Sequence, residues 1–137
     1  YIAENGAIIV PALLIIQELG IAQEMTLELD TGAEATVISE GDARKLGLDY
    51  SKLEKGGPAL GIGGMAQTYV VKGAALSFIS DGWLIVKTME RLEVLKHEVE
   101  DPVLQKALQT LPSLLGRDVL GRKFVITSDG KNVSIEL

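Results

Sequence analysis

The chain has 137 residues, of which 47% are hydrophobic and 23% charged, a composition typical of a folded protein. This length predicts a single domain, residues 1–137, with one hydrophobic core. The net charge is −6 and no Lys or Arg precedes Arg44, which argues against nucleic acid or an anionic membrane as the main partner. Because there is no cysteine, disulfides, thiolate nucleophiles and cysteine-ligated zinc are excluded.

The longest apolar run, residues 7–16, contains Pro11 and is too short to span a bilayer. It also lacks the positively charged flank of a signal peptide. We therefore expect no membrane segment in these residues and a cytoplasmic protein. The chain starts at Tyr1 rather than Met, which leaves an upstream targeting or anchoring segment open.

The N-terminal part of the chain predicts two strands joined by a turn. The run "AIIVPALLII" is typical of a buried or edge strand, in which Pro11 limits the pairing. We expect a turn around Gly20. From Met25 to Leu29 apolar and polar residues alternate, which is the period of a half-buried strand. This second strand ends in a tight turn at Asp30 and Gly32.

After a β-prone "ATVIS", the spacing of Ser39 and Asp42 predicts a helix N-terminus, and Gly47 a helix end. Residues 55–73 predict a hairpin with a glycine-rich tip. Residues 91–99 fit either a strand or a helix. The remaining expected elements are strands "AALSFIS" and "WLIVKTM", a short helix from Pro102 to about Gln109, and a C-terminal hairpin turning at Asp129-Gly130. The whole predicts a mostly β domain with two or three short helices.

Asp30 stands out because a carboxylate follows three alternating apolar residues and precedes Thr-Gly-Ala. The structural interpretation is an Asx turn, in which the side chain binds nearby backbone amides. The functional interpretation is a carboxylate held at the floor of a cleft by a rigid apolar frame.

The stretch "LDTGAEATVIS" resembles the active-site segment of the retropepsin-like aspartic proteases. That family also carries an apolar pair followed by Gly before a short C-terminal helix, which "LLGRDVL" at Leu114 to Leu120 matches. Its third hallmark is a glycine-rich flap hairpin, and "GIGG" at Gly61 to Gly64 lies between the other two motifs. The resemblance spans about Met25 to Leu137, and the order of the three motifs makes it specific.

The resemblance implies an all-β, retropepsin-like acid protease fold: a closed, barrel-like domain with short helices and a flap, active as a homodimer. It implies peptide hydrolysis by water held between two Asp30 carboxylates, one from each subunit, because each chain carries a single Asp-Thr-Gly. Thr31 would brace the two loops and Gly32 would let the substrate approach. The implied substrate is a peptide or unfolded protein with hydrophobic residues around the cut, and no metal or other cofactor is expected. The implied substrate-binding residues are Ala33, Glu34, Val37, Gly61, Ile62, Gly63 and Leu114.

The chain departs from the family at two places. Glu34 stands where an Asp is common, and we expect it to reach Arg117 in a structural ion pair. The segment of residues 80–110 is longer than in viral members and includes the helix after Pro102. For Val37, Ile62 and Leu114, an ordinary core position is as good an interpretation as a pocket wall.

Other chemistries fit the sequence less well. No Lys follows "GIGGMA", which argues against a phosphate loop, and there is no Gly-x-Ser-x-Gly. His97 is the only histidine, and "HEVED" lacks the spacing of a zinc site. Two alternatives stay open: a non-catalytic peptide-binding or dimerisation module of the same fold, and a monomer that is inactive until a larger protein brings two copies together.

Overall fold

The computed structural model describes residues 1–61, 64–80 and 82–136. Nine strands form one mixed sheet, in the order β4-β5-β8-β3-β9-β2-β1-β6-β7, and the last two form a separate hairpin. The strands are β1 (Ile9–Ile16), β2 (Ile21–Leu29), β3 (Val37–Ile38), β4 (Glu54–Gly61), β5 (Gly64–Val71), β6 (Ala74–Ser80), β7 (Trp83–Met89), β8 (Leu92–Lys96), β9 (Ser113–Leu115), β10 (Val125–Ser128) and β11 (Val133–Glu136).

The helices are short, as the sequence predicted. They are α1 (Glu40–Leu46), α2 (Pro102–Leu108) and α3 (Arg117–Leu120), with 3₁₀ turns at Gln17–Leu19 and Tyr50–Lys52. The Ser39 side chain accepts a hydrogen bond from the Asp42 backbone N–H, and Gly47 ends α1 with a φ of 71°, so the predicted cap and stop are confirmed. No helix in the described part of the chain is both long and apolar enough to cross a bilayer.

The all-β architecture predicted from the sequence is confirmed. Within residues 91–99, Leu92–Lys96 form a strand, β8, and there is no helix. The long segment of residues 80–110 consists mainly of β7, β8 and α2. The C-terminal hairpin differs slightly from its prediction, since its connection runs over four residues, 129–132, rather than two. The Asp129 carboxylate stabilises the longer turn by accepting from the backbone N–H groups of Lys131 and Asn132.

Successive side chains of β1 and β2 point to opposite faces of the sheet, and one face of each strand is directed into the core. On β1 the buried side chains are Ala12, Leu14 and Ile16, and on β2 the fully buried one is Leu27. The two strands pair antiparallel over their whole length. The core is completed by side chains from most other elements, including Ile38, Ala43, Leu46, Val71, Leu76, Leu92, Val94, Leu115 and Val119.

The order of the central strands determines the path of the chain after β2. Strand β9 lies between β2 and β3, parallel to β2 and antiparallel to β3. The connection from β2 to β3, residues 30–36, therefore has to pass around the end of β9, where α3 begins. The Asp30 segment is in this way placed against residues that lie more than 80 positions later in the chain.

Candidate active site

Asp30 is the first residue after β2 and is half-buried. Its Oδ1 accepts a hydrogen bond of 2.9 Å from the Gly32 backbone N–H, and its own carbonyl accepts one of 3.2 Å from the Ala33 N–H. The predicted tight turn is thus present, and the Asx hydrogen bond belongs to it. Among the described residues, no donor contacts the other carboxylate oxygen, Oδ2, while Thr31 and Gly32 are exposed beside it.

The segment β9–α3 holds the Asp30 loop along its length. The Asp30 N–H donates to the Leu115 carbonyl at 3.1 Å, the Arg117 N–H donates to the Ala33 carbonyl at 2.9 Å, and the Asp118 N–H donates to the Glu34 carbonyl at 3.2 Å. These are backbone bonds, so they position the loop independently of side-chain rotamers. The two sequence motifs that the resemblance singled out are therefore in direct contact.

A side-chain cluster of the buried Thr36 and the exposed Asp118 completes this support. The Asp118 Oδ1 accepts from the Thr36 hydroxyl at 2.7 Å and from the backbone N–H groups of Thr36 and Val119, each at 2.9 Å. The Thr36 hydroxyl in turn accepts from the Gly116 N–H at 3.0 Å. Thr36 is only 1% exposed, and a buried group with satisfied partners fixes its surroundings more strongly than a solvated one.

Neither Thr36 nor Asp118 was among the predicted site residues. Asp118 lies inside the quoted "LLGRDVL" motif, and Thr36 is the polar residue in a β-prone run, so both were visible in the sequence. Their contact was not predictable because 82 positions separate them.

Gly116 allows the segment between β9 and α3 to approach the backbone of Ala35 and Thr36 closely. A Cβ added to Gly116 would lie 2.5 Å from the Ala35 carbonyl carbon and 2.8 Å from the Thr36 backbone nitrogen. Contacts this short with backbone atoms cannot be relieved by a rotamer change, so only Gly fits here. The Gly of the apolar-apolar-Gly motif thus has a packing reason in this chain.

The predicted ion pair between Glu34 and Arg117 does not form. The ion pairs among the described residues join Lys45 to Asp42, Lys72 to Glu54 and Arg91 to Glu93. Both Glu34 and Arg117 are exposed, and an exposed pair gains too little free energy to order two long side chains. Their segments meet through backbone hydrogen bonds and through Asp118 instead.

Val37 and Leu114 are brought together, as directly paired residues of β3 and β9. Both are half-buried, whereas their neighbours Ile38 and Leu115 are buried in the core. Because side chains alternate along a strand, Val37 and Leu114 point to the face opposite the core.

Glu28 lies on this same face, and sequence reasoning did not select it. It is in register with Leu114 across β2 and β9, and it precedes Asp30 by two positions. The sequence did contain a signal for Glu28, because it is a polar residue in the alternation from Met25 to Leu29 and such residues lie on the strand face opposite the core.

The predicted flap is the hairpin of β4 and β5. Gly61 ends β4 and pairs with Gly64, the first residue of β5, while the exposed Leu60 and Met65 face each other one step back. Ile62 and Gly63, the predicted tip residues, lie outside the described residues. The hairpin forms one edge of the nine-stranded sheet, separated from β3 by β8.

The base of this hairpin is braced by Tyr50. Its hydroxyl donates to the Leu95 carbonyl at 2.7 Å, its ring contacts Tyr69 of β5 edge-on with the ring centres 4.9 Å apart, and the Lys96 Nζ lies 5.2 Å from its ring centre. Burial, with a smaller contribution from the nearby Glu40 carboxylate, raises the pKa of Tyr50 to about 12.

Comparisons with known proteins agree with this geometry. The family model described as "Aspartyl protease" matches residues 18–119. Among solved structures, a retropepsin-like aspartic protease from Rickettsia conorii is 22% identical, with a TM-score of 0.58 over 98% of this chain and 93% of its own. An EIAV protease in complex with the inhibitor HBY-793 is 18% identical, with a TM-score of 0.52 over 88% of this chain and 90% of its own. The search of curated proteins found no match. The fold is therefore retropepsin-like, and the chain belongs to the aspartyl protease family.

Proposed function

We propose that this chain is an aspartic endopeptidase whose active centre forms when two copies bring their Asp30 carboxylates together. The observation that carries the proposal is the Asp30 loop itself: each chain has one Asp-Thr-Gly, and β9–α3 holds its carboxylate at the surface of the domain. Peptide hydrolysis needs a base for the water proton and an acid for the carbonyl oxygen, which one carboxylate cannot supply at the same time.

Two Asp30 side chains across a two-fold axis meet this requirement. Like charges a few ångströms apart cannot both ionise at low cost, so the pair shares one proton near the working pH. The ionised carboxylate takes a proton from the attacking water, while the protonated one donates to the scissile carbonyl. The exposed Thr31 and Gly32 lie beside Asp30, where a second subunit and the substrate backbone would contact them.

The substrate class follows from the face on which Asp30 lies. An extended peptide would run along the side that carries Val37 and Leu114, with Ala33 and Glu34 at its margin and the hairpin of Gly61, Ile62 and Gly63 closing over it. The half-exposed, paired Val37 and Leu114 support a preference for apolar substrate side chains. The fold shared with an EIAV protease that was solved with an inhibitor supports the same binding mode.

The decisive experiment compares wild type, Asp30→Asn and the control Glu18→Gln on an unfolded model protein from about pH 3 to 7. Glu18→Gln makes the same change from carboxylate to amide on an exposed residue of the first 3₁₀ turn. We expect cleavage by wild type and Glu18→Gln, and loss of at least about a thousandfold in Asp30→Asn.

The dimer fraction is measured in the same buffers by sedimentation. Cleavage that tracks the dimer supports the proposal. Equal cleavage by wild type and Asp30→Asn would overturn it, and a stable dimer that cuts nothing at any pH would indicate a binding module. If the chain stays monomeric and inactive, fusing two copies in tandem should restore cleavage, as expected for a chain that a larger protein brings together.

A further inference from the structure

The outer edge of the nine-stranded sheet carries an apolar surface that the proposed active centre does not use. Strand β7 is the last strand in the sheet order, opposite the flap edge, and its outer backbone groups have no partner strand in the described part of the chain. Exposed side chains cluster on β7 and on the adjoining end of β6: Ile79 is 84% exposed, Trp83 77%, Leu84 64%, Val86 49% and Ile85 38%. We refer to these five residues as the β7 edge.

The composition of β7 is unusual for an edge strand. Edges are ordinarily protected from strand pairing by charges, prolines or bulges. In "WLIVKTM" the only charged residue is Lys87, there is no proline, and β6 and β7 pair without interruption from Ala74 and Met89 to Ser80 and Trp83. The strand is thus regular, apolar and open on one side.

We propose that the β7 edge binds a second copy of this chain by antiparallel pairing of the two β7 strands about a two-fold axis at Ile85. The pairing register follows from the charges and shapes of the strand. Centring on Ile85 places Leu84 opposite the Val86 of the other copy and Trp83 opposite its Lys87. The first pair is apolar on both sides, and the second allows the ammonium group to lie over the indole ring.

The neighbouring registers are worse matched. Centring on Val86 places the apolar Ile85 opposite Lys87 and Leu84 opposite Thr88. Centring on Lys87 opposes two like charges, which destabilises a cross-strand pair. The lysine at this position therefore disfavours the registers centred on Val86 and Lys87.

The exposed area is sufficient for such a contact. The five side chains leave roughly 500 Å² of apolar surface, at the upper end of what monomers carry. Pairing of the two strands buries at most this surface on both copies, about 1,000 Å² in all, which is the size at which specific interfaces begin.

The β7 contact is separate from the Asp30 contact and adds to it. With both contacts present, wild type assembles beyond a dimer, either as a closed tetramer or as an open chain. With either contact alone, wild type is a dimer. The Ile85→Lys variant separates the two cases, because it becomes a monomer if only β7 pairs and stays a dimer if only the Asp30 contact forms.

The test introduces single cysteines, which is possible because the chain has none of its own. We expect Ile85→Cys to form a disulfide-linked dimer under mild oxidation at least about tenfold faster than Val103→Cys, because residues paired on the two-fold axis have Cα atoms about 4.5–5.5 Å apart. Val103 is a matched control, an apolar residue of α2 that is 79% exposed. Leu84→Cys should cross-link as slowly as the control, since its own counterpart lies diagonally, about 7–8 Å away.

A second variant, Ile85→Lys, opposes two charges at the axis and should lower the native mass measured by sedimentation. The mass should fall to that of the Asp30 dimer if both contacts form in wild type, and to that of a monomer if only β7 pairs. The inference is overturned if Ile85→Cys cross-links no faster than Val103→Cys, or if folded Ile85→Lys keeps the wild-type mass. Fast cross-linking of Leu84→Cys instead of Ile85→Cys would overturn the register. If Ile85→Lys does not fold, the cysteine variants, which change little at this site, decide the outcome.

Discussion

The position of the Asp30 carboxylate depends on a few residues from two segments that are distant in the sequence, residues 30–36 and 115–118. Asp30 provides the reactive group. Its loop is held by the Leu115 carbonyl, by Gly116, which has no room for a side chain, and by the hydrogen bond from the buried Thr36 to Asp118. Each of these contacts is short and buried or backbone-mediated, so each should be sensitive to a single substitution.

Thr36→Val should destabilise the fold by about 2–3 kcal/mol, because it keeps the shape but removes a hydroxyl that accepts from Gly116 N–H and donates to Asp118. The buried Gly116 N–H loses its partner, and Asp118 Oδ1 loses one of its three donors. Denaturant unfolding measures the loss, with the exposed Thr127→Val, expected within about 0.5 kcal/mol of wild type, as control. Equal stabilities for both variants would show that the cluster does not hold the loop.

Glu28→Leu should change which peptides are cleaved. If the face that carries Asp30, Val37 and Leu114 binds substrate, the Glu28 carboxylate favours a substrate with Lys or Arg nearby. We expect kcat/KM to fall about tenfold for a peptide with Lys beside the cut and to change little or rise for one with Leu. The control is Glu24→Leu, further from Asp30 on the same strand. An unchanged Lys-to-Leu ratio would place Glu28 outside the substrate cleft.

At the level of elements, the path of the chain makes the site. Strand β9 inserts between β2 and β3, so the loop joining them must run over the start of α3. The flap hairpin is held at its base by a separate contact, the packing of Tyr50 against Tyr69 and the hydrogen bond from the Tyr50 hydroxyl to Leu95. Loop and flap thus depend on different parts of the fold.

The Tyr50 brace predicts an alkaline loss of stability. The folded-state pKa of Tyr50 is raised to about 12, above the value of about 10 in the unfolded chain, so its contribution is fully present below pH 10. It is lost as the pH rises from 10 to 12, since the unfolded state ionises first. The side chain is only half-buried, so we expect a loss of about 1 kcal/mol, less than the pKa difference alone would give.

Tyr50→Phe should therefore be about 1 kcal/mol less stable than wild type at pH 8 and nearly equal to it at pH 12. Denaturant unfolding across this range measures the difference, and Tyr1→Phe, an exposed tyrosine, reports the general effect of alkali. A stability difference that stays constant from pH 8 to 12 would contradict the ionisation argument.

At the level of the whole molecule, each chain supplies one Asp30, so the proposed catalyst is an assembly. Mixing wild type with Asp30→Asn forms heterodimers that lack one carboxylate. At an equal ratio and constant total concentration, activity should fall to about one quarter of that of the wild type alone, because one dimer in four keeps both carboxylates.

The control mixes Glu18→Gln with wild type and should retain full activity. A fall to one half in the Asp30→Asn mixture would mean that chains act independently and would contradict the dimeric centre. Dilution of wild type should lower the specific activity for the same reason.

Much of this protein could be predicted from local sequence. The alternation from Met25 to Leu29 predicted β2, the Ser39–Asp42 spacing predicted the start of α1, and Asp101-Pro102 predicted that of α2, because these signals act over a few residues. The Asp-Thr-Gly turn and the "LLGRDVL" motif were recognisable for the same reason, and their order along the chain indicated the family.

Only the tertiary structure decided how the two motifs meet. Sequence inspection paired Glu34 with Arg117 on charge alone, whereas folding left both in water and buried Thr36 against Asp118. Opposite charge is visible in a sequence, but burial is not, and burial determines which polar contacts are strong. Pairing between distant strands likewise determines the register that places Glu28 beside Leu114. It also determines the strand order that puts β7 at the edge of the sheet, and no local pattern specifies either.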